Sequence, residues 1–264
     1  MFPLLPFPSP REVLIFALVL SRVAGIFSAL PVFGGQGVPM QIKVVAIFMI
    51  TLVCFPALAL ISPAMPDDVF ALGLLLLREM AIGLLLGFVA QVIFAAVEFS
   101  GQIIGMQMGF TISQIIDPTR GTQTQVMSVV QTLLASLLFF SLNIHHMFLS
   151  TIVDSFKIIP LGAMRLNAEI INFIVKLTAD VLIIGVRLAA PVMVSLLLTS
   201  VALGIMARAF PQMNIFMISM PLNIGIGFII LGATLTIYFH VLEISFGAVK
   251  TQINTLFNLL VKGG

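Results

Sequence analysis

Charged side chains inside long apolar runs are the residues of this sequence most able to do chemistry. The set comprises Arg22, Arg78, Glu79, Glu98 and Arg187. An ionisable group at membrane depth is by default a candidate for a proton or ion relay. Arg78 and Glu79 are adjacent, so they point to different sides of a helix and each needs another partner. We therefore favour pairing between helices or between subunits over a relay as the role of these buried charge candidates.

Two adjacent histidines are the next candidates for chemistry. His145 and His146 end an apolar run, with Ser141 and Ser150 four residues to either side. A serine hydrolase needs a positioned nucleophile and an oxyanion hole, and the sequence contains no G-x-S-x-G motif. We interpret the pair as interfacial histidines. The single cysteine, Cys54, has no partner for a metal pattern, so we predict no catalytic residue, no metal site and no cofactor.

The composition excludes a soluble globular domain. Of the 264 residues, 60% are hydrophobic and only 8% are charged, against about 25% charged residues in soluble domains. The twelve basic residues are scattered singly and form no phosphate-binding patch, so no nucleic-acid partner is predicted. There is no Trp and only one Tyr, although lipid-facing helices usually carry both at the membrane interfaces. Either chance or a bundle surrounded mostly by other proteins explains this absence.

Six long apolar runs supply the elements that position these residues. They cover about residues 13–33, 42–62, 69–97, 126–149, 181–206 and 215–241. Pro56, Pro191 and Pro221 lie inside three of the runs, where proline kinks or breaks a helix. These interruptions argue against six full spans. The sequence therefore predicts an all-α polytopic membrane protein with helices broken by proline and glycine.

The last two runs are joined by a tight turn over residues 207–214 and form one helical hairpin. Before the hairpin, residues 150–180 are the most polar long segment of the chain. Their apolar side chains recur on one face, which predicts an amphipathic helix that lies on a surface or packs on a partner; that face carries Ile170, Phe173, Ile174 and Leu177. A mildly amphipathic tail over residues 243–264 follows the hairpin.

The stretch over residues 98–125 is neither an ordinary hydrophilic loop nor a membrane span. Gly101, Gly105 and Gly109 recur every four residues, which gives a helix one face of small residues. Apolar side chains alternate with small or polar ones over residues 104–113, which is the period of an extended chain. We predict a helix that loosens into an extended loop broken by glycine.

The Asp117-Pro118 step disfavours helix beyond this point. Non-helical backbone of such apolar character survives at membrane depth only where protein or a water-filled cavity surrounds it. Two interpretations stay open on these grounds. One is a loop that plugs a pore, and the other is a re-entrant or interfacial loop that only packs, which the residues alone favour.

The turn of the last hairpin and its continuation, residues 202–228, read ALGIMARAFPQMNIFMISMPLNIGIGF. They contain the long and specific string P-Q-M-N-x-F-x-x-x-x-P-L-N-I-x-x-G. Together with residues 22–48 and 78–118, this segment resembles the FliR family, the export-gate subunits of the bacterial flagellar type III secretion system. The resemblance covers essentially the whole chain. Virulence-type paralogues usually depart within the string, so the flagellar branch is favoured.

The resemblance implies a gate that assembles from FliR-like, FliP and FliQ subunits in the flagellar basal body of the bacterial inner (cytoplasmic) membrane. FlhB would wrap the gate on its cytoplasmic side, and FlhA would complete the apparatus. Unfolded flagellar subunits would pass through the pore, and the chain would perform no enzymatic chemistry. Residues 1–165 would form a FliP-like part, and residues 166–264 a FliQ-like hairpin with its tail.

The resemblance also places a plug for the closed pore in the loop after the third long helix, over residues 105–123, which reverses the preference for a packing loop. The implied plug or gate residues are Gly105, Met106, Gln107, Met108, Gly109, Phe110, Thr111, Ser113, Gln114, Asp117, Pro118, Arg120 and Gly121. The last hairpin is predicted to be the surface for assembly with other subunits. Its residues are Arg208, Pro211, Met213, Asn214, Met217, Met220, Pro221 and Asn223.

Two other classes of function were weighed against the export gate. A small-molecule secondary transporter or channel needs broken helices at matching positions in two halves, and the two halves of this chain do not repeat. A membrane hydrolase would depend on the two histidines. Both are alternatives to the export gate.

Overall fold

The computed structural model of the chain describes residues 9–30, 39–58, 68–110, 126–162, 167–212 and 214–262. Within these ranges the regular structure is helical, without a strand, which confirms the all-α prediction. In chain order the helices are α1 (Pro10–Ala29), α2 (Met40–Leu58), α3 (Val69–Gln107), α4 (Val126–Ser141), α5 (Ile144–Ile158), α6 (Ala168–Ala209), α7 (Ile215–Ala233) and α8 (Leu235–Lys262).

Membrane spans are fewer than the apolar runs of the sequence. Among the described residues, α1, α3 and α6 are each long and apolar enough to cross a membrane. The pairs α4–α5 and α7–α8 are long and apolar enough when each pair is taken together, and they are bent by 65° and 58°. The described chain therefore has three such helices, or up to five spans if each bent pair counts as one. These helices confirm a polytopic, membrane-embedded protein.

The helices are interrupted, as the sequence predicts, but not at the prolines. α2, α6 and α7 continue through Pro56, Pro191 and Pro221. The breaks lie at Asn143, whose φ of +55° separates α4 from α5, and at Thr234 between α7 and α8. Prolines are tolerated inside apolar helices because neighbouring helices and hydroxyl side chains satisfy the backbone groups that they free.

Three helices extend beyond the limits that the apolar runs suggested. α3 continues from residue 97 to Gln107. The amphipathic segment over residues 150–180 is not one helix: residues 150–158 end α5, and residues 168–180 begin α6, a helix of 42 residues. Its apolar face is confirmed, since Ile170 and Leu177 are buried. The described part of the tail, residues 243–262, likewise belongs to α8, which begins at Leu235.

The residues divide into two compact units. Unit 1 comprises Met1–Gln91, Asn143–Val175 and Ala248–Gly264, and unit 2 comprises Val92–Leu142 and Lys176–Gly247. The division predicted at residue 165 concerns likeness to other subunits, and it stays a prediction.

In unit 1, α1 and α3 pack closely through glycine. A Cβ added at Gly25 would lie 3.0 Å from the backbone N of Leu84, and one added at Gly83 would lie 2.9 Å from the backbone N of Ile26. Backbone atoms at that distance leave no room for a side chain, so both positions require glycine for the approach of the two helices.

In unit 2, α3, α4 and α6 contribute the buried side chains of one apolar cluster. Its members are Ile104, Met108, Met127, Ala189, Val192 and Leu196. A second contact is aromatic: the ring centroids of Phe94 and Phe139 are 5.8 Å apart, and Phe246 of α8 lies 5.9 Å from Phe94. Aromatic contacts at these distances add to the stabilisation that burial of apolar area provides.

Candidate functional site

Two of the buried charge candidates form an ion pair in unit 1. Nε of Arg22 donates to Oε2 of Glu79 at 2.6 Å, and both side chains are fully buried. Nη1 of Arg22 also donates to the backbone carbonyls of Ser155 and Ile159, at 2.9 and 3.1 Å. Oε1 of Glu79 accepts from the backbone N–H of Gly162 at 2.8 Å. The pair therefore connects α1 and α3 to the C-terminal end of α5.

The environment of this pair explains why two charges are stable there. Ser155 and Ile159 lie in the last turn of α5 and just after it, where the helix dipole is negative and a cation is stabilised. The ring of Phe156 covers the guanidinium of Arg22, with the ring centroid 4.4 Å from Cζ. Arg22 and Glu79 therefore pair between helices, which is the role that the sequence favoured over a relay.

The other charge candidates are not buried within the chain. Arg78, Glu98 and Arg187 are exposed, and among the described residues none of their side chains forms a hydrogen bond or an ion pair. Glu79 and Arg78 point to different sides of α3, as expected for adjacent residues of a helix. Burial of the three exposed charges against another subunit stays a prediction.

The predicted plug begins at a glycine cap that ends α3. Gly109 has a φ of +89°, and its N–H donates to the carbonyl of Met106 at 3.1 Å. The N–H of Phe110 donates to the carbonyl of Gly105, also at 3.1 Å. These two bonds form a Schellman motif, in which the left-handed position favours glycine. Gly109 therefore stops the helix instead of extending its small-residue face.

The described part of the predicted plug is held by the chain itself. α3 includes Gly105, Met106 and Gln107. The prediction of extended backbone is therefore wrong for these three residues, because their backbone is helical. Met108 is fully buried in the apolar cluster of unit 2, and a Cβ added at Gly227 of α7 would lie 2.8 Å from its Cε. The remaining plug residues, namely Thr111, Ser113, Gln114, Asp117, Pro118, Arg120 and Gly121, lie outside the described residues.

The predicted assembly surface surrounds the turn between α6 and α7. Arg208, Pro211, Asn214 and Pro221 are exposed, while Met220 and Asn223 are half-buried, and Met213 lies outside the described residues. Met217 is 74% exposed. Further large apolar side chains are exposed around the same turn, namely Ile205, Met206, Phe210 and Ile218. An apolar patch of this kind marks contact with lipid or with another protein.

A polar cluster in unit 2 was not predicted as a group. Gln131 of α4 is 2% exposed, and Tyr238 of α8 donates its hydroxyl to the backbone carbonyl of Gln131 at 3.0 Å. Both residues line, with Arg187 of α6, a cavity of about 20 Å³. The only sequence signals for this cluster were a glutamine inside an apolar run and the single tyrosine of the chain.

The histidine pair gives no sign of a hydrolase. The rings of His145 and His146 are 4.1 Å apart between centroids. The hydroxyl of Ser150 donates to the backbone carbonyl of Met147 and not to a histidine. In the described ranges no group of three or more His, Cys, Asp or Glu residues has the arrangement of a metal site.

Comparison with known proteins decides the family. The model of the family described as "Bacterial export proteins, family 1" matches residues 13–249. The chain belongs to this family. It is 34% identical over 252 residues to the flagellar biosynthetic protein FliR of Bacillus subtilis (strain 168), covering 94% of this chain and 95% of the relative.

Two further relatives agree with this assignment. The flagellar biosynthetic protein FliR of Escherichia coli (strain K12) is 34% identical over 216 residues, which cover 81% of each chain. The Yop proteins translocation protein T of Yersinia pestis is 29% identical over 226 residues, which cover 84% of this chain and 85% of the relative. The resemblance to the FliR family is confirmed. Because the family consists of export components, the prediction that the chain is not an enzyme is confirmed as well.

Proposed function

We propose that the chain is a structural and gating subunit of the flagellar type III protein export gate. One observation carries the proposal: the chain is similar, over 94% of its length, to a protein whose name states a role in flagellar biosynthesis. The similarity to a virulence-type translocation protein is lower, at 29% identity. Both names are consistent with a type III export component, and the flagellar branch is the better match.

In this function the chain forms a pore together with FliP and FliQ subunits, and FlhB and FlhA complete the apparatus. The pore lies in the flagellar basal body of the bacterial inner membrane, and unfolded flagellar subunits pass through it. Support comes from surfaces that the chain leaves uncovered. Only 28% of the most apolar stretch of α6 is buried within the chain. The turn that follows α6 also exposes apolar side chains.

The segment over residues 105–123, which begins in the last turn of α3, closes the pore in this proposal. Support comes from its beginning, where the cap at Gly109 ends α3 and the buried Met108 attaches the end of the helix to α7. Because the loop starts at this anchored end of α3, its first residues are held in position. Its apolar and small polar side chains are suited to a seal against ions.

Complementation tests the proposal. The chain is expressed in a flagellated bacterium that lacks its own FliR, and flagellar filament protein is measured in the medium and on the cells. Restored export of the filament protein supports the proposal. A chain that is inserted into the membrane together with its cognate FliP and FliQ, yet restores no export, contradicts it.

A further inference from the structure

A small cavity in unit 2 holds polar groups that the described chain leaves without partners. It lies among α3, α4, α6 and the bent pair α7–α8, and most of its wall is apolar, including Ile104 and Val192. Its volume of about 20 Å³ is enough for one water-sized group or the tip of a short side chain. The polar part of the wall comes from Gln131, Arg187, Tyr238 and Thr234, whose hydroxyl donates to the carbonyl of Ile230.

Gln131 supplies a buried side-chain amide whose oxygen is not satisfied. Its backbone carbonyl accepts the hydroxyl of Tyr238 at 3.0 Å, whereas its side-chain Oε1 has no hydrogen-bond partner among the described residues. The residue is only 2% exposed. A buried polar atom without a partner costs about 1–3 kcal/mol, and such atoms are rare in native proteins. The amide oxygen of Gln131, a residue that lines the cavity, therefore lacks a partner within the described chain.

Arg187 supplies a cation at the same cavity. It stands near the middle of α6, its side chain is exposed, and in the described structure it forms no ion pair. The surface beside it is apolar, with Ile183, Val186 and Val194 about half exposed. A charge in such surroundings requires an opposite charge, because desolvation without a counterion is costly.

We propose that this cavity receives the carboxylate of an aspartate or glutamate on a membrane helix of another export subunit. The guanidinium of Arg187 donates to the carboxylate oxygens, and a carboxylate accepts two such bonds in parallel. The side-chain amide of Gln131 turns its NH₂ toward the same carboxylate, since the two ends of the amide are interchangeable by rotation. The proposal rests on the proposed function, because the partner is a subunit of the export gate.

The shape and charge of the site favour a helix side chain as occupant. The cavity accommodates a group about the size of a water molecule or of the tip of one carboxyl side chain. The bare apolar face of α6 around Arg187 provides the surface on which the rest of a helix packs. A water molecule would satisfy Gln131 but would leave the charge of Arg187 without a counterion.

Photo-crosslinking identifies the occupant. A benzoylphenylalanine is placed at Ile183 or at Val186 in the chain expressed with its cognate export subunits, and the adduct is mapped by mass spectrometry. We expect an adduct on a partner subunit, within about one helical turn of an aspartate or glutamate. Adducts with lipid only, with the chain itself, or with a partner segment that lacks an acidic residue would overturn the proposal.

Substitutions then test the charge and the amide separately. Arg187→Leu is expected to lower the amount of that partner that co-purifies by at least about tenfold, and Arg187→Lys by less because it keeps the charge. Gln131→Leu is expected to lower it about threefold. The thermal midpoint of the isolated Gln131→Leu chain stays the same or rises, because an unsatisfied atom is removed. Arg11→Leu, which removes an exposed arginine of unit 1 that is not one of the charge candidates, is the matched control and leaves co-purification unchanged.

The outcomes separate this proposal from the function on which it rests. If the wild-type chain co-purifies with no export subunit, the proposed function itself is wrong. If the wild-type chain co-purifies and Arg187→Leu does so equally well, only the carboxylate site is wrong. Rescue of Arg187→Asp by replacing the crosslinked acidic residue of the partner with arginine would confirm the pairing.

Discussion

Replacing one member of the buried ion pair is predicted to destabilise the chain strongly. Arg22→Met leaves the carboxylate of Glu79 fully buried without its counterion. It also removes the donors to the carbonyls of Ser155 and Ile159. Removing one partner of a buried pair costs about 3–5 kcal/mol, because an uncompensated charge remains in the interior. Glu79→Leu is expected to cost a similar amount, since it leaves Arg22 unpaired.

The double substitution is expected to be much less harmful than the sum of the two single ones. When both charged side chains are removed, two backbone groups lose their hydrogen-bond partners: the N–H of Gly162 and the carbonyl of Ile159. Each such group costs about 1–3 kcal/mol when buried, whereas the carbonyl of Ser155 still accepts from the N–H of Ile159. The double variant should therefore lose about 2–6 kcal/mol, against about 6–10 kcal/mol for additive single effects.

The assay is reversible unfolding of the purified chain in mixed detergent micelles, which gives the free energy of unfolding of each variant. Arg78→Met is the matched control, because Arg78 is the exposed neighbour of Glu79 and a surface change costs about 0.5 kcal/mol or less. The reasoning is refuted if the two single effects add to within about 0.5 kcal/mol in the double variant. It is equally refuted if Arg22→Met costs no more than the control.

Three further predictions concern the packing of the helices and the assembly surface. Gly83→Ala should lower the free energy of unfolding by at least about 2 kcal/mol, because the added Cβ would meet the backbone of α1. Gly73→Ala, where an added Cβ has nothing within 4 Å, should raise the free energy of unfolding by about 0.5–1 kcal/mol. Equal effects of the two variants in the same unfolding assay would contradict the close approach of α1 and α3. Gly109→Ala should cost about 1–2 kcal/mol because its φ of +89° is left-handed, and slower hydrogen exchange at the end of α3 in the variant would contradict this. Met217→Asp changes a side chain that is 74% exposed, so it should not lower the stability of the isolated chain. It should abolish co-purification with partner subunits. A complex that forms normally would show that this turn is not buried by another subunit.

The helices were predictable from the sequence because apolar runs at membrane length leave the backbone few alternatives. The positions of the breaks were not. Asn143 adopts a left-handed conformation at one break, and Thr234 interrupts another apolar run. Proline suggested the wrong positions, because an apolar helix tolerates it where its neighbours compensate.

The candidate site was predictable only where the local sequence determines the local structure. The change to an extended periodicity over residues 104–113 indicated that α3 ends in this stretch. In contrast, the partner of Glu79 is 57 residues away, at Arg22, and no local pattern joins them. The cavity at Gln131, Arg187 and Tyr238 combines residues of α4, α6 and α8, so it exists only once the helices pack.

The central claim is that the loop over residues 105–123 closes an export pore, and ion permeability tests it most directly. Residues 112–121 are deleted, which keeps the cap at Gly109 and the buried Met108, and the variant is expressed with its cognate export subunits at wild-type abundance. We predict higher conductance of the cell membrane than with the wild-type complex, and we predict that adding Met217→Asp to the deletion removes the leak, because no gate assembles. Wild-type conductance of a fully assembled complex that carries the deletion would contradict the claim.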